Sequence, residues 1–267
     1  MEKIEWSEDI KFSTRPVEIE TKGYNDWVYS VLPQLRNMVA GPHDDDNTTK
    51  IQIGDDKFFY LRTLDGQSDM PGRYGFGSVR TCLSTFQGEK RGAVYFDGTV
   101  HLPILAKADR WSDVWMSLTP MEVMSQRAGV KKGRGNVLIG GLGLGWFTRR
   151  VLERKQVEKV TVYEIDPAVA AFFGDPLKAE FGDRLEIIIG NVYNANPERF
   201  DAVLYDIWQS ASGAEYDRQF LGIAADHPNA WAWGEGWRTK VRTQKHLKPG
   251  IPFYDFAKLS VNFNQET

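Results

Sequence analysis

Cysteine and long apolar runs are scarce in this sequence of 267 residues, in which Cys82 is the single cysteine. One thiol cannot close a disulfide within the chain, which suits a reducing compartment, and it gives no support to a zinc cluster. A membrane-spanning helix would need a run of about 18 apolar residues, and the sequence has none. The opening residues MEKIEWSEDIKF are too charged for a signal peptide. We therefore expect a cytoplasmic protein with no membrane contact and no bound metal.

The sequence also lacks an excess of charge of either sign. It has 33 lysines and arginines against 36 acidic residues, for a formal net charge of -3. Without a global basic field, a nucleic-acid partner would have to be held by a local patch. Nucleic acid is thus neither indicated nor excluded, and a small-molecule partner is favoured. With 42% hydrophobic residues, the chain is able to bury a substantial core.

The pattern of apolar residues changes near residue 130, which divides the chain into two predicted parts. Residues 1–128 contain short apolar runs such as KIQI, KFFYLRTL and GAVYF, separated by turn signals. This pattern predicts a small β-rich region. At its end, apolar residues recur at helical spacing in WSDVWMSLTPMEVMSQRAGV, which predicts a bridging helix that ends before Gly129.

Residues 129–267 alternate between strand and helix patterns. The predicted strands are NVLIG, EKVTVYE, DRLEIIIG, FDAVLYD and IPFYDF, and the predicted helices are WFTRRVLERK and DPAVAAFF, the latter capped by Asp166. Such alternation predicts an α/β fold with a doubly wound parallel sheet. Little sequence follows IPFYDF, so we expect the last strands of such a sheet to be missing. An exposed sheet edge needs cover, which predicts the N-terminal region or a second subunit of a homo-oligomer there.

The stretch NVLIGGLGLGW joins the first of these strands to the first helix. In doubly wound sheets this turn lies closest to the ligand, and its glycines, here Gly141, Gly143 and Gly145, let the backbone approach a bound nucleoside. Glu164 follows Gly141 by 23 positions at the end of the second strand, where it can accept hydrogen bonds from both ribose hydroxyls. A dinucleotide turn has a small residue where this chain has Trp146. A nucleoside ligand without a pyrophosphate is therefore favoured over the dinucleotide NAD, and an NAD-linked oxidoreductase is the weaker alternative.

Over roughly residues 94 to 208, the motifs NVLIGGLGLG, VTVYEID, DRLEIIIGNVYN and FDAVLYDIWQ resemble those of the class I S-adenosylmethionine-dependent methyltransferase fold, closest to its spermidine synthase-like branch. The resemblance implies a Rossmann-like sheet and S-adenosylmethionine as the cofactor. It also implies that the three turn glycines line the cofactor, that Glu164 holds the ribose and that Asn191 faces the adenine. Asp206 would face the sulfonium and the acceptor, which its position after the fourth strand also favours.

On the acceptor side, the chain departs from that branch. Aminopropyl transfer needs carboxylates for a polycationic amine, and the branch places a second acid where this chain has Gln209. It also places an aromatic residue, a histidine and a glutamate where this chain has Trp115, Met116 and Ser117. Counter-charges worth about 1.5 to 3 kcal/mol each would be lost, which argues against polyamine synthesis. Trp115, Trp208 and Gln209 remain as candidate acceptor-side residues.

Further aromatic residues, Trp231, Trp233 and Trp237, follow in NAWAWGEGWR. They either form an aromatic wall for a planar or cationic acceptor or pack against the sheet. The sequence does not decide between these interpretations.

The favoured function is an S-adenosylmethionine-dependent methyltransferase of unknown acceptor, with Asp206 as the catalytic residue. One alternative is another reaction of the same cofactor family, either aminopropyl transfer or cleavage of the cofactor. A second alternative is a non-catalytic nucleoside-binding protein.

Overall fold

The computed structural model describes residues 2–9, 17–41, 48–65, 78–79, 92–107, 114–208 and 227–233. The predictions made on Cys82, Gln209, Trp237 and the strand IPFYDF lie outside these residues. In the part of the chain that is described, no helix is long and apolar enough to cross a membrane.

Two four-stranded sheets make up the N-terminal part. Their strands are β1 (Glu2–Ile4), β2 (Val17–Ile19), β3 (Lys50–Ile53), β4 (Lys57–Asp65), β5 (Ser78–Val79), β6 (Gly92–Phe96), β7 (Thr99–Lys107) and β8 (Val114–Ser117). One sheet has the order β1-β2-β6-β5, and the other has the order β3-β4-β7-β8. Helix α1 (Thr21–Val31) packs beside β7 and is followed by a 3-10 helix at Pro33–Asn37. The predicted β-rich region is therefore confirmed, with strands at KIQI, KFFYLRTL and GAVYF.

The predicted bridging helix is correct only in its second half. Helix α2 spans Pro120–Lys132, whereas the preceding residues form β8, which pairs with β7. Thr119 caps α2, since its Oγ1 accepts a hydrogen bond from the backbone N–H of Glu122 at 3.1 Å, and Pro120 suits the first helical position. The prediction that the helix ends before Gly129 is wrong as well. Gly129 lies inside α2, where its lack of a side chain lets the helix pack closely on the sheet. A Cβ at this position would overlap the ring of Trp231.

The C-terminal part contains a five-stranded sheet in which every pair is parallel. Its strands are β9 (Gly135–Gly140), β10 (Val157–Glu164), β11 (Leu185–Ile189), β12 (Ala202–Tyr205) and β13 (Ala230–Ala232). Their order is β11-β10-β9-β12-β13. The chain thus builds the sheet outward from β9 in one direction and then in the other, so the strand order reverses between β9 and β12. This arrangement is the predicted Rossmann-like, doubly wound sheet.

The helices between these strands follow the predicted pattern. Helix α3 (Trp146–Leu152) follows β9, and α4 (Pro167–Val169) follows β10 and continues through a π-helical turn (Ala170–Gly174) into α5 (Asp175–Phe181). Asp166 caps α4 as predicted, because its Oδ1 accepts hydrogen bonds from the N–H groups of the second and third helical residues at 2.8 and 3.1 Å. Short 3-10 helices span Gly182–Arg184, Val192–Asn194 and Pro197–Arg199.

The strand β13 comes from the tryptophan-rich segment and was not expected from the sequence. All three of its residues are buried. Three residues are too few to show the alternation that identifies a strand, and burial comes from contacts with distant parts of the chain. The described sheet therefore gains its fifth strand earlier in the chain than IPFYDF.

The two parts of the chain share a hydrophobic core. The ring of Phe59 in β4 lies 5.6 Å from that of Phe172 and 5.1 Å from that of Phe173, in the π-helical turn beyond β10. The domain boundary predicted after residue 128 falls within α2, and the division into two domains stays a prediction. The missing last strands and the covering of the sheet edge in a homo-oligomer also stay predictions.

Candidate functional site

The glycine turn between β9 and α3 has a backbone that other residues rarely adopt. Gly141, Gly143 and Gly145 have φ angles of 85°, 57° and 83°. These values lie in the left-handed region, which glycine enters without steric cost. An added Cβ on Gly141 would overlap the carbonyl oxygen of Asp206, and one on Gly143 would overlap the side chain of Met116. The turn is therefore closely packed against the end of β12 and against β8.

Glu164 lies at the end of β10, directly beside this turn. Its side chain is buried, with 7% of the residue exposed, and its two oxygens accept backbone hydrogen bonds. Leu142 N–H donates to Oε2 at 2.9 Å, and Asp166 N–H donates to Oε1 at 2.9 Å. The carboxylate thus ties the glycine turn to the exit of β10. Each oxygen keeps a second lone pair, which can accept from a ligand hydroxyl.

An exposed apolar surface surrounds the neighbouring strand ends, and the sequence analysis missed it. Ile165, Ile189 and Tyr193 are 66%, 53% and 43% exposed, respectively. Asn191 lies among them, exposed, and its Oδ1 accepts from Tyr193 N–H at 3.0 Å. The sequence indicated this surface only through the positions of the residues. Ile165 directly follows β10, Ile189 ends β11, and Tyr193 lies in the next 3-10 helix. Large apolar side chains that are exposed together often mark a ligand surface.

Asp206 follows β12 and lies on the opposite side of the glycine turn from Glu164. Its backbone N–H donates to Gly140 O at 3.0 Å, and its Oδ2 accepts a hydrogen bond from Gln126 Nε2 of α2. Burial raises the pKa of Asp206 to about 7, and the hydrogen bond from Gln126 offsets only part of that rise. This carboxyl therefore changes its charge near neutral pH.

Glu122, one helical turn before Gln126 on α2, places a second carboxyl group at this site. Ser117 Oγ donates to Glu122 Oε2 at 2.7 Å. Burial raises the pKa of Glu122 to about 8, the hydrogen bond from Ser117 opposes this rise, and the nearby charge of Asp206 adds to it. Since two close carboxyl groups do not readily ionise together, Glu122 is mostly protonated at neutral pH.

The resemblance places an acid at the position of Ser117, where this chain has none, and the structure brings a carboxyl group to this site from Glu122, five residues further on. A signal was available, because Thr119 and Glu122 form the Thr-x-x-Glu pattern that begins a helix. That pattern predicts a helix start, however, and does not reveal that the glutamate points at Asp206.

Residues from β8, α2, the glycine turn and β12 line a small cavity between the two carboxyl groups. Its volume is about 20 Å³, enough for one water molecule. The polar residues that line it are Ser117, Glu122, Gln126 and Asp206, and the remaining lining residues include Met116, Gly141, Leu142, Gly145, Trp146 and Phe147. The lining of this cavity thus combines polar side chains with residues of the glycine turn.

The acceptor-side candidates Trp115 and Trp208 are not among the residues that line this cavity. Trp115 lies on β8 with its ring 4.7 Å from Lys57 Nζ, and it is Met116 that lines the cavity. Trp208 is partly buried and packs against a small cluster that includes Leu138 and Tyr205. Gln209 lies outside the described residues. The roles of these three residues in acceptor binding stay predictions.

The tryptophans of β13 and the residue after it pack against helices. Trp231 is 3% exposed, and its ring stacks on Phe147 with centroids 5.4 Å apart. Trp233 Nε1 donates to Ser125 Oγ on α2 at 2.7 Å. For these two residues, the packing interpretation is therefore confirmed.

Trp146, the residue that departs from the dinucleotide pattern, begins α3 and faces the N-terminal part. It is 3% exposed, its Nε1 donates to Glu8 Oε1 at 3.2 Å, and its ring lies 6.5 Å from that of Trp27. The large side chain therefore attaches the N-terminal part to the glycine turn.

No protein-family model matches this sequence, and no curated protein matches it. Solved structures overlap parts of the chain. The 23S rRNA methyltransferase ErmE is 23% identical over 40% of this chain and 43% of its own, with a TM-score of 0.32. A dimethyladenosine transferase from Plasmodium falciparum is 19% identical over 40% of this chain and 38% of its own, with a TM-score of 0.32.

A further overlap involves phosphoethanolamine N-methyltransferase 1 of Haemonchus contortus, in complex with phosphoethanolamine and S-adenosylhomocysteine. It is 18% identical over 38% of this chain and 22% of its own, with a TM-score of 0.30. This chain therefore spans less than half the length of each of these three proteins.

Proposed function

We propose that the chain is an S-adenosylmethionine-dependent methyltransferase that acts on a small molecule. The observation that carries this proposal is the meeting of Gly141, Glu164 and Asp206 at the carboxyl edge of the sheet, beside the reversal of strand order. In doubly wound sheets, ligands bind at this point. A small-molecule acceptor suits a chain whose formal net charge of -3 gives no general basic field for a nucleic acid.

The residues at this edge fit an adenosyl group. The glycine turn lies directly beside Glu164, whose carboxylate has free lone pairs for ribose hydroxyls. Ile165 and Ile189 offer apolar surface to a purine ring, beside the amide of Asn191. A pyrophosphate-containing dinucleotide is disfavoured, since Trp146 fills the position of the small third residue. When bound, S-adenosylmethionine would supply a methyl group activated by a positively charged sulfur.

Asp206 and Glu122 have complementary roles in this proposal. Asp206, with a pKa of about 7, is able to take a proton from the acceptor and, when ionised, to lie close to positive charge. Glu122, with a pKa of about 8, donates a hydrogen bond in its protonated form and orients the acceptor. Methyl transfer is an in-line displacement that depends mainly on positioning, so one general base and one orienting hydrogen-bond donor are in keeping with it.

A second candidate is aminopropyl transfer, and the second carboxyl is the observation that favours it. Glu122 and Asp206 together offer an amine two acidic groups on one side of the glycine turn. Their raised pKa values leave little net negative charge for a polycation at neutral pH, so methyl transfer is the better proposal. The proposal also includes membership of the spermidine synthase-like branch, a cytoplasmic location and a homo-oligomeric state.

Ligand binding tests the proposal directly. Isothermal titration calorimetry of the purified chain would compare S-adenosylhomocysteine, decarboxylated S-adenosylmethionine and NAD. We expect binding of S-adenosylhomocysteine and no binding of NAD. Mass spectrometry of incubations with S-adenosylmethionine and pools of small amines, alcohols and thiols would then identify a methylated product.

Two outcomes would contradict this function. Binding of NAD without S-adenosylhomocysteine would place the chain among oxidoreductases. Preference for the decarboxylated cofactor, with transfer to a diamine, would favour aminopropyl transfer instead.

A further inference from the structure

Lys57, on β4 of the N-terminal part, is a buried cation close to the cofactor edge. Its side chain is 7% exposed, and its ammonium donates to Asp56 Oδ1 at 2.9 Å and to Asp166 Oδ2. The same ammonium lies 4.7 Å from the centre of the Trp115 ring. A lysine is costly to take out of water unless it is paired, so this position depends on its partners.

The electrostatics of Lys57 keep it charged. Burial alone would lower the pKa of Lys57, and the hydrogen bonds from its ammonium to Asp166 and Asp56 outweigh that effect and raise it. Burial likewise acts to raise the pKa of Asp166, yet the hydrogen bonds from Lys57 and from two backbone N–H groups lower it. The two groups thus form an ion pair at neutral pH.

Asp166 connects this ion pair to the glycine turn. One of its oxygens accepts from Lys57, the other caps α4, and its backbone N–H donates to Glu164 Oε1 at 2.9 Å. Glu164 Oε2 in turn accepts from Leu142 N–H at 2.9 Å. A continuous series of hydrogen bonds therefore runs from the N-terminal sheet to the turn that would contact the cofactor.

We propose that Lys57 is a positioning residue of the cofactor site, which holds the Glu164 carboxylate in its ligand-binding orientation through Asp166. The proposal rests on the proposed function, since it assigns the carboxylate to the ribose. It gives the N-terminal sheet a role in nucleoside binding beyond packing. A structural anchor alone would stabilise the fold without affecting how Glu164 meets a ligand.

The test is a double-mutant cycle read by the affinity for S-adenosylhomocysteine. Lys57→Met in the full chain should weaken binding by about tenfold, the effect of losing one charge-assisted hydrogen bond. Lys57→Arg should restore most of the affinity, because it keeps the charge. Asp56→Asn is the matched control, since it removes the other, half-exposed partner of Lys57, and it should change affinity by less than about twofold.

The background variant Glu164→Gln distinguishes a positioning effect of Lys57 on Glu164 from a general effect on the fold. In that background, Lys57→Met should have little further effect on the affinity. Asp166→Asn retains an oxygen to cap α4 and breaks the ion pair, so it should weaken binding as much as Lys57→Met does. The two substitutions combined should weaken binding no more than either one alone. If Lys57→Met does not fold, as judged by circular dichroism, Asp166→Asn carries the same test.

An unchanged affinity in both Lys57→Met and Asp166→Asn would overturn this inference alone. An equal loss of affinity with and without Glu164→Gln would overturn it too, because the effect would then be general. If the unmodified chain does not bind S-adenosylhomocysteine at all, the proposed function fails, and this inference fails with it.

Discussion

The carboxyl edge of the parallel sheet holds two acidic groups that contact different kinds of partner. Glu164 accepts from two backbone N–H groups, whose positions are set by the fold. Asp206 accepts from the side chain of Gln126 and faces the carboxyl of Glu122, both on a neighbouring helix. The first arrangement holds a carboxylate in one place, which suits ligand binding. The second produces a group that gains or loses a proton near neutral pH, which suits a catalytic acid or base.

The largest expected effect comes from the glycine that touches both sides of this edge. Gly141→Ala should destabilise the fold by about 3 kcal/mol or more, because left-handed backbone strain adds to an overlap with the carbonyl of Asp206. Gly182→Ala is the matched control, since Gly182 has a φ of 56° and nothing within 4 Å of an added Cβ. It should cost about 1 to 3 kcal/mol, from backbone strain without an overlap, because its backbone has φ 56° and ψ -132°. Urea denaturation followed by circular dichroism measures both, and equal losses would show that close packing at Gly141 is unimportant.

Replacing the two acids one at a time separates cofactor binding from the methyl-transfer step. Asp206→Asn should lower the rate of methyl transfer by about a hundredfold or more, as expected for loss of a general base, and leave the affinity for S-adenosylhomocysteine within a few-fold. Glu164→Ala should mainly weaken the affinity for S-adenosylhomocysteine and have the smaller effect on the rate of methyl transfer. It should also lower stability by about 2 kcal/mol, since two backbone N–H groups lose their acceptor. Calorimetry and single-turnover kinetics give the two readouts, and full activity in Asp206→Asn would remove its catalytic assignment.

The smallest effect is a dependence of stability on pH that originates at Asp206 and Glu122. The folded pKa values, about 7 for Asp206 and about 8 for Glu122, lie above their ordinary values of 3.8 and 4.5. The folded chain therefore binds more protons than the unfolded chain between these limits, and stability falls as pH rises. We expect a fall of about 2 kcal/mol between pH 6 and pH 7, because the folded chain holds nearly two more protons than the unfolded chain in this range.

Denaturant midpoints measured at several pH values test this slope. The double variant Glu122→Gln, Asp206→Asn should flatten it, because neither side chain then titrates. A slope that stays the same in the double variant would show that other groups cause it.

Much of the C-terminal sheet was predictable from the sequence. Apolar runs such as NVLIG and FDAVLYD are buried on both faces, and that environment leaves a pattern in the residues themselves. The capped start of the helix at Asp166 and the glycine turn at Gly141 are likewise local, since each depends on its neighbours along the chain. Glu164 was predictable because a fixed spacing separates it from the turn.

The errors fall where a contact between distant elements decides the outcome. Gly129 looked like a helix end, and it lies inside α2 because the helix packs on the ring of Trp231. Met116 and Ser117 looked helical, and they form an edge of the N-terminal sheet because β7 is available to pair with them. Local propensity does not report either of these contacts.

By itself, the sequence determined the first four strands of the parallel sheet, the position of the glycine turn and the acid that follows it, because each is written in periodicity, turn chemistry or spacing. Only the tertiary structure decided which side chains complete the site. Gln126 meets Asp206 across 80 positions, and Lys57 meets Asp166 across 109. No local pattern records such pairs, since they form only when the N-terminal sheet and α2 pack against the edge of the parallel sheet.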